Sequence, residues 1–163
     1  MRVAALDLGS NTFLCLIADV ENGQIKNILS DQVQVVRLGQ DVAKTKKLHP
    51  DALLRAEKCL EEFNTEIRKF GPQRILAMAT SAARDSQNKN ELFAIGKKLN
   101  IPIEIIPGGR EAEITYHGAI SGLEEKNKSR LIIDIGGGST EVIYGHADRV
   151  ISSRSLDIGC VRL

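Results

Sequence analysis

The feature that most constrains the fold of this chain is a strand, tight turn and strand pattern that occurs twice. The first copy carries DLGSNT at residues 7–12, and the second carries DIGGGST at residues 134–140. In each copy an apolar run leads to the acidic residue and another apolar run follows the turn. A third extended segment follows each copy, at residues 24–38 and 149–156. The repeat therefore predicts two related lobes that face each other, each beginning with a three-strand meander.

The segment between the two copies predicts alternating helices and strands. Apolar side chains recur every three or four residues from Pro50 to Phe70, so this segment is expected to form an amphipathic helix. Pro50 suits a first helical turn, and the Gly71-Pro72 pair ends the helix. The remaining predictions are strands at residues 74–79 and 101–106, helices at 91–99 and 110–123, and a polar loop at 42–49. This alternation is typical of an α/β protein.

A charged run at residues 124–130 indicates an exposed connection between the two predicted lobes. We therefore expect a first lobe at residues 1–123 and the incomplete start of a second lobe at residues 124–163. Pro102 predicts that the strand containing it lies near the edge of its sheet, because proline cannot donate a ladder hydrogen bond.

The net charge and the length of the apolar segments argue against nucleic acid and against a membrane as partners. The chain has 22 Lys and Arg residues against 21 Asp and Glu residues, a net charge of +1, which lacks the basic excess of a protein that grips nucleic acid widely. No segment approaches the roughly 18 apolar residues that a membrane span needs. The residues after Met1 enter a strand too soon for a secretory signal, so a cytoplasmic protein is expected.

The two turns carry residues that suit a phosphate ligand. Turns rich in Gly and Ser direct successive backbone N–H groups to one point, and Ser10, Asn11 and Ser139 add side-chain donors. The carboxylates of Asp7 and Asp134 would repel phosphate directly. We therefore expect them to hold a divalent cation, or its water shell, between protein and phosphate. The two turns together therefore predict a cleft that binds a phosphate chain from two sides.

Six motifs occur in an order that resembles the exopolyphosphatase and guanosine pentaphosphate phosphatase family, within the superfamily of sugar kinases, heat-shock chaperones and actin. They are DLGSNT at residues 7–12, RLG at 37–39, ATSAARD at 79–85, GGREA at 108–112, DIGGGSTE at 134–141 and GCVRL at 159–163. The resemblance spans essentially the whole chain. It implies an α/β fold with a ribonuclease-H-like (actin-like ATPase) lobe built on a mixed sheet, plus the opening strands of a second similar lobe.

The resemblance also implies roles for individual residues. Glu111 would be the catalytic base that activates water, although the family usually has a second acidic residue where this chain has Arg110. Asp7, Asp134 and Glu141 would lie at the metal, which would be Mg²⁺ or another divalent cation. Phosphate would be bound by Ser10, Asn11, Arg84, Gly136, Gly137, Gly138 and Ser139.

The implied activity is hydrolysis that releases terminal orthophosphate from inorganic polyphosphate, guanosine pentaphosphate or both. Two alternatives stay open: a non-catalytic phosphate-chain sensor, and an ATP-dependent kinase of the same superfamily, which would need a nucleotide pocket in a more complete second lobe. Family members continue past GCVRL through helices that complete this lobe. Either this chain is a fragment, or a partner such as a second copy in a homodimer covers the apolar strands at residues 131–135 and 150–156.

Overall fold

A computed structural model describes residues 1–125 and 127–162, which form two β-sheets and five helices. The first sheet has the strand order β3-β2-β1-β4-β5. Its strands are β1 (Arg2–Leu8), β2 (Thr12–Glu21), β3 (Gln24–Val35), β4 (Arg74–Ala79) and β5 (Ile103–Ile105). Strands β1 to β3 are antiparallel, whereas β4 is parallel to β1 and β5 is parallel to β4. This mixed sheet confirms the predicted α/β, ribonuclease-H-like fold class, and β5 lies at the predicted edge.

The helices connect and cover this sheet. They are α1 (Val42–Thr45), α2 (Pro50–Phe70), α3 (Ser81–Asp85), α4 (Lys89–Lys98) and α5 (Gly108–Ser121). The α2 helix begins at Pro50, where His49 accepts a hydrogen bond from the Asp51 amide, and it ends at Gly71 with a positive φ of 56°. No helix in the two described stretches is long and apolar enough to cross a membrane.

The main core lies between one face of the first sheet and the apolar stripe of α2. Alternate residues of β1, namely Ala4, Leu6 and Leu8, are buried against this stripe, in which Leu60 and Phe63 are fully buried. Burial of such side chains contributes about 1.5–3 kcal/mol each before conformational entropy is subtracted. Because strand side chains alternate, the same pairing turns Asp7 to the opposite face of the sheet.

The second sheet is an antiparallel meander of β6 (Ser129–Ile135), β7 (Thr140–His146) and β8 (Arg149–Leu156). Its inner face packs against α5, where Ala112 and Tyr116 join Ile143 in a small buried cluster. The Tyr116 hydroxyl donates a hydrogen bond to the carbonyl of Ala147 at 3.0 Å. Thus α5, which falls within the predicted first lobe, packs on the second sheet, and the boundary near residue 124 stays a prediction.

Two segments differ clearly from the sequence-based predictions, and the short helix α3 was not predicted. Residues 42–49, expected to be a polar loop, contain the short helix α1, because Val42 and Leu48 are buried in the main core and hold the segment against it. Strand β3 ends at Val35 rather than at residue 38. Beyond it, the amides of Val36 and Arg37 donate to the carbonyl of Asn11, at 2.9 and 2.8 Å, which turns the chain toward the first turn.

Candidate active site

The two glycine-rich turns have the same local geometry and line one cavity. In the first turn (residues 9–12) the Gly9 amide donates to the Thr12 carbonyl at 3.1 Å, and in the second turn (residues 136–139) the Gly136 amide donates to the Ser139 carbonyl at 2.9 Å. Each turn follows a strand that carries an aspartate two residues before its first glycine. The cavity between the turns has a volume of about 220 Å³.

Nine of the site residues predicted from the sequence line this cavity. They are Asp7, Ser10, Asn11, Glu111, Asp134, Gly136, Gly137, Ser139 and Glu141. Two other predicted residues, Gly138 and Arg84, lie outside its lining. Since Asp7 and Asp134 belong to different sheets, the paired arrangement exists only because the two sheets pack with their turns together.

Backbone amides of neighbouring segments donate hydrogen bonds to carbonyl groups of both turns. In the first turn, the Gly39 amide donates to the Ser10 carbonyl at 2.7 Å, which gives the RLG motif a structural role. In the second turn, the Cys160 and Val161 amides donate to the carbonyls of Gly136 and Gly137 at 3.0 and 2.8 Å. These hydrogen bonds fix the backbone of both turns beside the cavity.

Three amides of the second turn have no acceptor among the described residues. Among the described residues, no protein group accepts a hydrogen bond from the backbone N–H of Gly137, Gly138 or Ser139. The glycines also permit close packing of the turns, since a Cβ on Gly137 would lie 3.0 Å from the backbone nitrogen of Asn11. Of these three residues, Gly137 and Ser139 line the cavity, so their amides are placed for an anion there, and the predicted contact of Gly138 with phosphate stays a prediction.

The Ser10 side chain, predicted to bind phosphate, is engaged within the protein. Its hydroxyl oxygen lies 2.7 Å from the Ser81 hydroxyl oxygen and accepts a hydrogen bond from the Ala82 amide at 3.1 Å. The side chain is 4% exposed. Ser10 therefore fixes the first turn against α3, and any contact with phosphate would come from its backbone.

Four carboxyl groups surround the cavity, and they influence one another. The pKa of the Asp7 carboxyl rises from its ordinary 3.8 to about 6, first because neighbouring protein atoms displace water around it and second because Asp134 is also negative. Glu141 is 1% exposed and accepts a hydrogen bond from the Ser155 hydroxyl at 2.7 Å. In the described part of the chain, no Lys, Arg or His side chain lines the cavity.

This acidic set suits a hydrated divalent cation. Within residues 1–125 and 127–162, no three acidic, His or Cys side chains lie close enough to enclose a metal ion by themselves. Mg²⁺ usually keeps several waters and binds one or two carboxylates together with phosphate oxygens, so a complete protein cage is not required. The residues that would hold it are Asp7, Asp134 and Glu141, whose mutual repulsion a cation would relieve.

Glu111 lies in the first turn of α5 and lines the cavity, and Arg84 holds its carboxylate. The Arg84 guanidinium donates to the Glu111 carboxylate at 2.7 Å and to the Ile106 carbonyl at 2.8 Å. Desolvation raises the pKa of Glu111, and nearby Glu141 adds to this, whereas the hydrogen bond from Arg84 opposes it. Arg84 thus orients Glu111, and its predicted contact with phosphate stays a prediction.

Several residues of the site were missed in the sequence. Thr80, Ser81 and Cys160 line the cavity. Thr80 and Ser81 follow β4, which is parallel to β1, so both strands end at the same edge of the sheet. The position of Thr80 and Ser81 directly after an apolar strand, within the motif already noted at residues 79–85, is the signal that could have identified them.

Comparison with known proteins identifies a family and several relatives that this chain resembles in sequence. Residues 16–163 match the model of the Ppx/GppA phosphatase family. The chain is 39% identical to exopolyphosphatase 2 of Mycobacterium tuberculosis over 171 residues, which cover 99% of this chain and 53% of that protein. The chain spans about half the length of this relative and of a putative exopolyphosphatase of Haemophilus influenzae.

Solved structures support the same relationship. A crystal structure of an exopolyphosphatase from Cytophaga hutchinsonii superposes with a TM-score of 0.92 at 32% identity, covering 99% of this chain and 52% of that chain. MreB5 of Spiroplasma citri, bound to ADP, matches with a TM-score of 0.52 at 16% identity and covers 97% of this chain and 52% of its own. This second likeness shows the fold alone.

Proposed function

Because this chain belongs to the Ppx/GppA phosphatase family, we propose that it holds a phosphate chain and supplies the base for hydrolysis of its terminal phosphoanhydride. The proposed substrates are inorganic polyphosphate, guanosine pentaphosphate or both. The observation that carries the proposal is a single cavity lined by both glycine-rich turns and by Glu111. Backbone amides that would suit an anion and a carboxylate with a raised pKa line this cavity, which supports hydrolysis of a phosphate chain.

The terminal phosphate would lie against the second turn. The amides of Gly137 and Ser139, which have no acceptor among the described residues, would donate to its oxygens, and the Asn11 side chain would approach from the first turn. A bound divalent cation at Asp7, Asp134 and Glu141 would supply the positive charge that the cavity lining lacks. Preorganised donors of this kind stabilise the charge of the transition state without reorganising during the reaction.

Glu111 would act as the general base. Its carboxylate takes a proton from water, the water oxygen forms a bond to the terminal phosphorus, and the bond from phosphorus to the bridging oxygen breaks. The shortened chain leaves with that electron pair, and orthophosphate is released. Desolvation raises the pKa of Glu111, which makes it a stronger base near neutral pH, while Arg84 keeps the carboxylate oriented.

Orthophosphate release tests this proposal against its two rivals. The whole protein is incubated with Mg²⁺ and with polyphosphate, guanosine pentaphosphate or ATP in separate reactions. We expect release from at least one of the first two substrates and little from ATP. Transfer of the ATP phosphate to an acceptor would favour a kinase, and binding of polyphosphate without release would favour a sensor.

We also propose that the protein acts in the cytoplasm. A homodimer is proposed as well. Support comes from the outer face of the second sheet, where Leu131, Ile133 and Ile135 are 57–69% exposed, since a row of apolar side chains of this kind is a common interaction surface. Sedimentation at several protein concentrations tests the dimer. Replacement of Ile133 by Lys should shift the equilibrium to monomer, and a wild-type monomer at all concentrations would exclude it.

A further inference from the structure

The Arg162 side chain connects the second turn to the first sheet. Its Nε donates a hydrogen bond to the Gly138 carbonyl at 2.6 Å, and its Nη2 forms an ion pair with the Asp85 carboxylate. Asp85 is the last residue of α3, which follows β4 of the first sheet. One guanidinium therefore contacts the second turn on one side and the end of α3 on the other.

The backbone around Arg162 supports the same turn. Its amide donates to the carbonyls of Gly137 and Gly159, at 3.1 and 3.0 Å. Gly159 is needed for this approach, because a Cβ there would overlap the Gly137 carbonyl. The GCVR segment at residues 159–162 thus packs against the backbone of the second turn.

The α3 helix is where the parts of the site meet. Ser81 at its beginning touches the Ser10 hydroxyl of the first turn, and a Cβ on Gly138 would lie 2.8 Å from that same hydroxyl oxygen. Arg84 holds Glu111, and Asp85 holds Arg162. The Asp85–Arg162 pair is the side-chain link in this group that reaches the second turn.

We propose that Arg162 is a positioning residue that fixes the separation of the two turns by bridging the Gly138 carbonyl and the Asp85 carboxylate. The effect on ligand affinity rests on the proposed function, because the ligand is a phosphate chain held between the turns. Arg162 and Asp85 side chains are 19% and 29% exposed, so water weakens this pair less than it weakens a surface pair.

The geometry also explains why arginine is suited to this position. A guanidinium offers Nε and Nη donors in a rigid plane, so one side chain can serve two acceptors at fixed angles. A lysine could keep the ion pair with Asp85 but would lose the planar second donor. Asp157 provides a control, since it lies 3.9 Å from the same guanidinium but is 84% exposed.

Calorimetric binding of tripolyphosphate with Mg²⁺ to the 163-residue chain is the first measurement. We expect Arg162→Gln and Asp85→Asn each to weaken binding about 10-fold, the effect of losing one hydrogen bond to a charged group. The double variant should be weaker than either single variant by no more than about twofold, because both changes break one bridge. Arg162→Lys should recover part of the affinity, and Asp157→Asn should bind like wild type.

The second measurement is made without ligand. The distance between α2 and β8 reports how far apart the two sheets hold the turns. Spin labels are attached at Lys58→Cys on α2 and Ser152→Cys on β8, in a Cys160→Ser background in which Cys15 and Cys59 are buried. Pulsed electron paramagnetic resonance should give a narrow distance distribution for the background chain and for Asp157→Asn. Arg162→Gln and Asp85→Asn should broaden it, while circular dichroism shows that both variants remain folded.

Two results would overturn the proposal that Arg162 bridges the Gly138 carbonyl and the Asp85 carboxylate. They are unchanged distance distributions in Arg162→Gln and Asp85→Asn, or additive losses of affinity in the double variant. Broadened distributions with unchanged affinity would overturn the link to binding. Absence of tripolyphosphate binding in the wild-type chain would count against the proposed function, and the distance distributions would still decide whether Arg162 holds the turns.

Discussion

Among single residues, Glu111 is the side chain on which the proposed hydrolysis depends. In the whole protein, Glu111→Gln should lower polyphosphate turnover by about 10² to 10⁴, the usual contribution of a positioned general base. Binding should change little, because glutamine has nearly the same size and the phosphate is held by the turns. Single-turnover rates and tripolyphosphate binding measure the two effects separately.

The matched control for this substitution is Glu113→Gln on the same helix. Glu113 is 52% exposed and pairs with Arg110 at 3.0 Å, away from the cleft. It should leave turnover unchanged. If Glu111 only favours the start of α5, its substitution should instead cost roughly 0.3 to 1 kcal/mol of stability, with turnover per folded molecule intact.

Asp7 should make stability depend on pH. A carboxyl whose pKa is higher in the folded state, here about 6 against 3.8, binds a proton more tightly after folding, so its ionisation destabilises the fold at higher pH. The cost is fully present above pH 6 and disappears as pH falls to 3.8. In metal-free buffer, Asp7→Asn should therefore raise the melting temperature at pH 8 and have little effect near pH 4.

Melting curves of wild type and Asp7→Asn across this pH range, with a chelator present, make the comparison. Asp51→Asn serves as a control for a general charge effect, because Asp51 has an exposed side chain at the start of α2. A benefit of Asp7→Asn that is equal at pH 4 and pH 8 would contradict the raised pKa.

At the level of secondary-structure elements, the second turn depends on a glycine that contacts its backbone from outside. Gly159→Ala places a methyl group against the Gly137 carbonyl, which belongs to the turn and cannot move aside as a flexible side chain would. We expect a loss of about 1–3 kcal/mol in the free energy of unfolding, the range for overpacking, together with weaker binding of tripolyphosphate.

Gly118→Ala is the matched control within α5. No atom lies within 4 Å of a Cβ at this position, so the methyl group should stabilise the helix by about 0.5–1 kcal/mol. Urea unfolding of both variants measures the two changes. Equal effects of the two substitutions would mean that the close approach at Gly159 is not important.

For the molecule as a whole, the acidic cavity should couple phosphate binding to a divalent cation. Mg²⁺ with tripolyphosphate should raise the melting temperature more than either alone, and ligand at 100 times its Kd corresponds to about 2.7 kcal/mol. Asp134→Asn should reduce this effect, because Asp134 and Asp7 supply the charge that the cation balances. Excess chelator should abolish turnover, and undiminished hydrolysis under that condition would remove the cation from the mechanism.

The sequence by itself determined most of the local elements, and it indicated nine of the residues that line the cavity. Both turns, α2 and the edge strand follow from patterns within a few residues, since glycine, proline and apolar spacing act over a turn or two of chain. Motif order then indicated Glu111, Asp134 and Glu141, and the structure brings all three to one cavity.

Only the tertiary structure decided which side chains hold the site together. The Ser10–Ser81 contact joins residues 71 positions apart, and the Arg162–Asp85 pair joins residues 77 positions apart. The same holds for Arg84, which the motif suggested for phosphate and which the fold directs to Glu111. Such partners depend on how β1, β4 and the second sheet pack in space. Local sequence preferences act over a few residues and do not specify which distant residue becomes the partner.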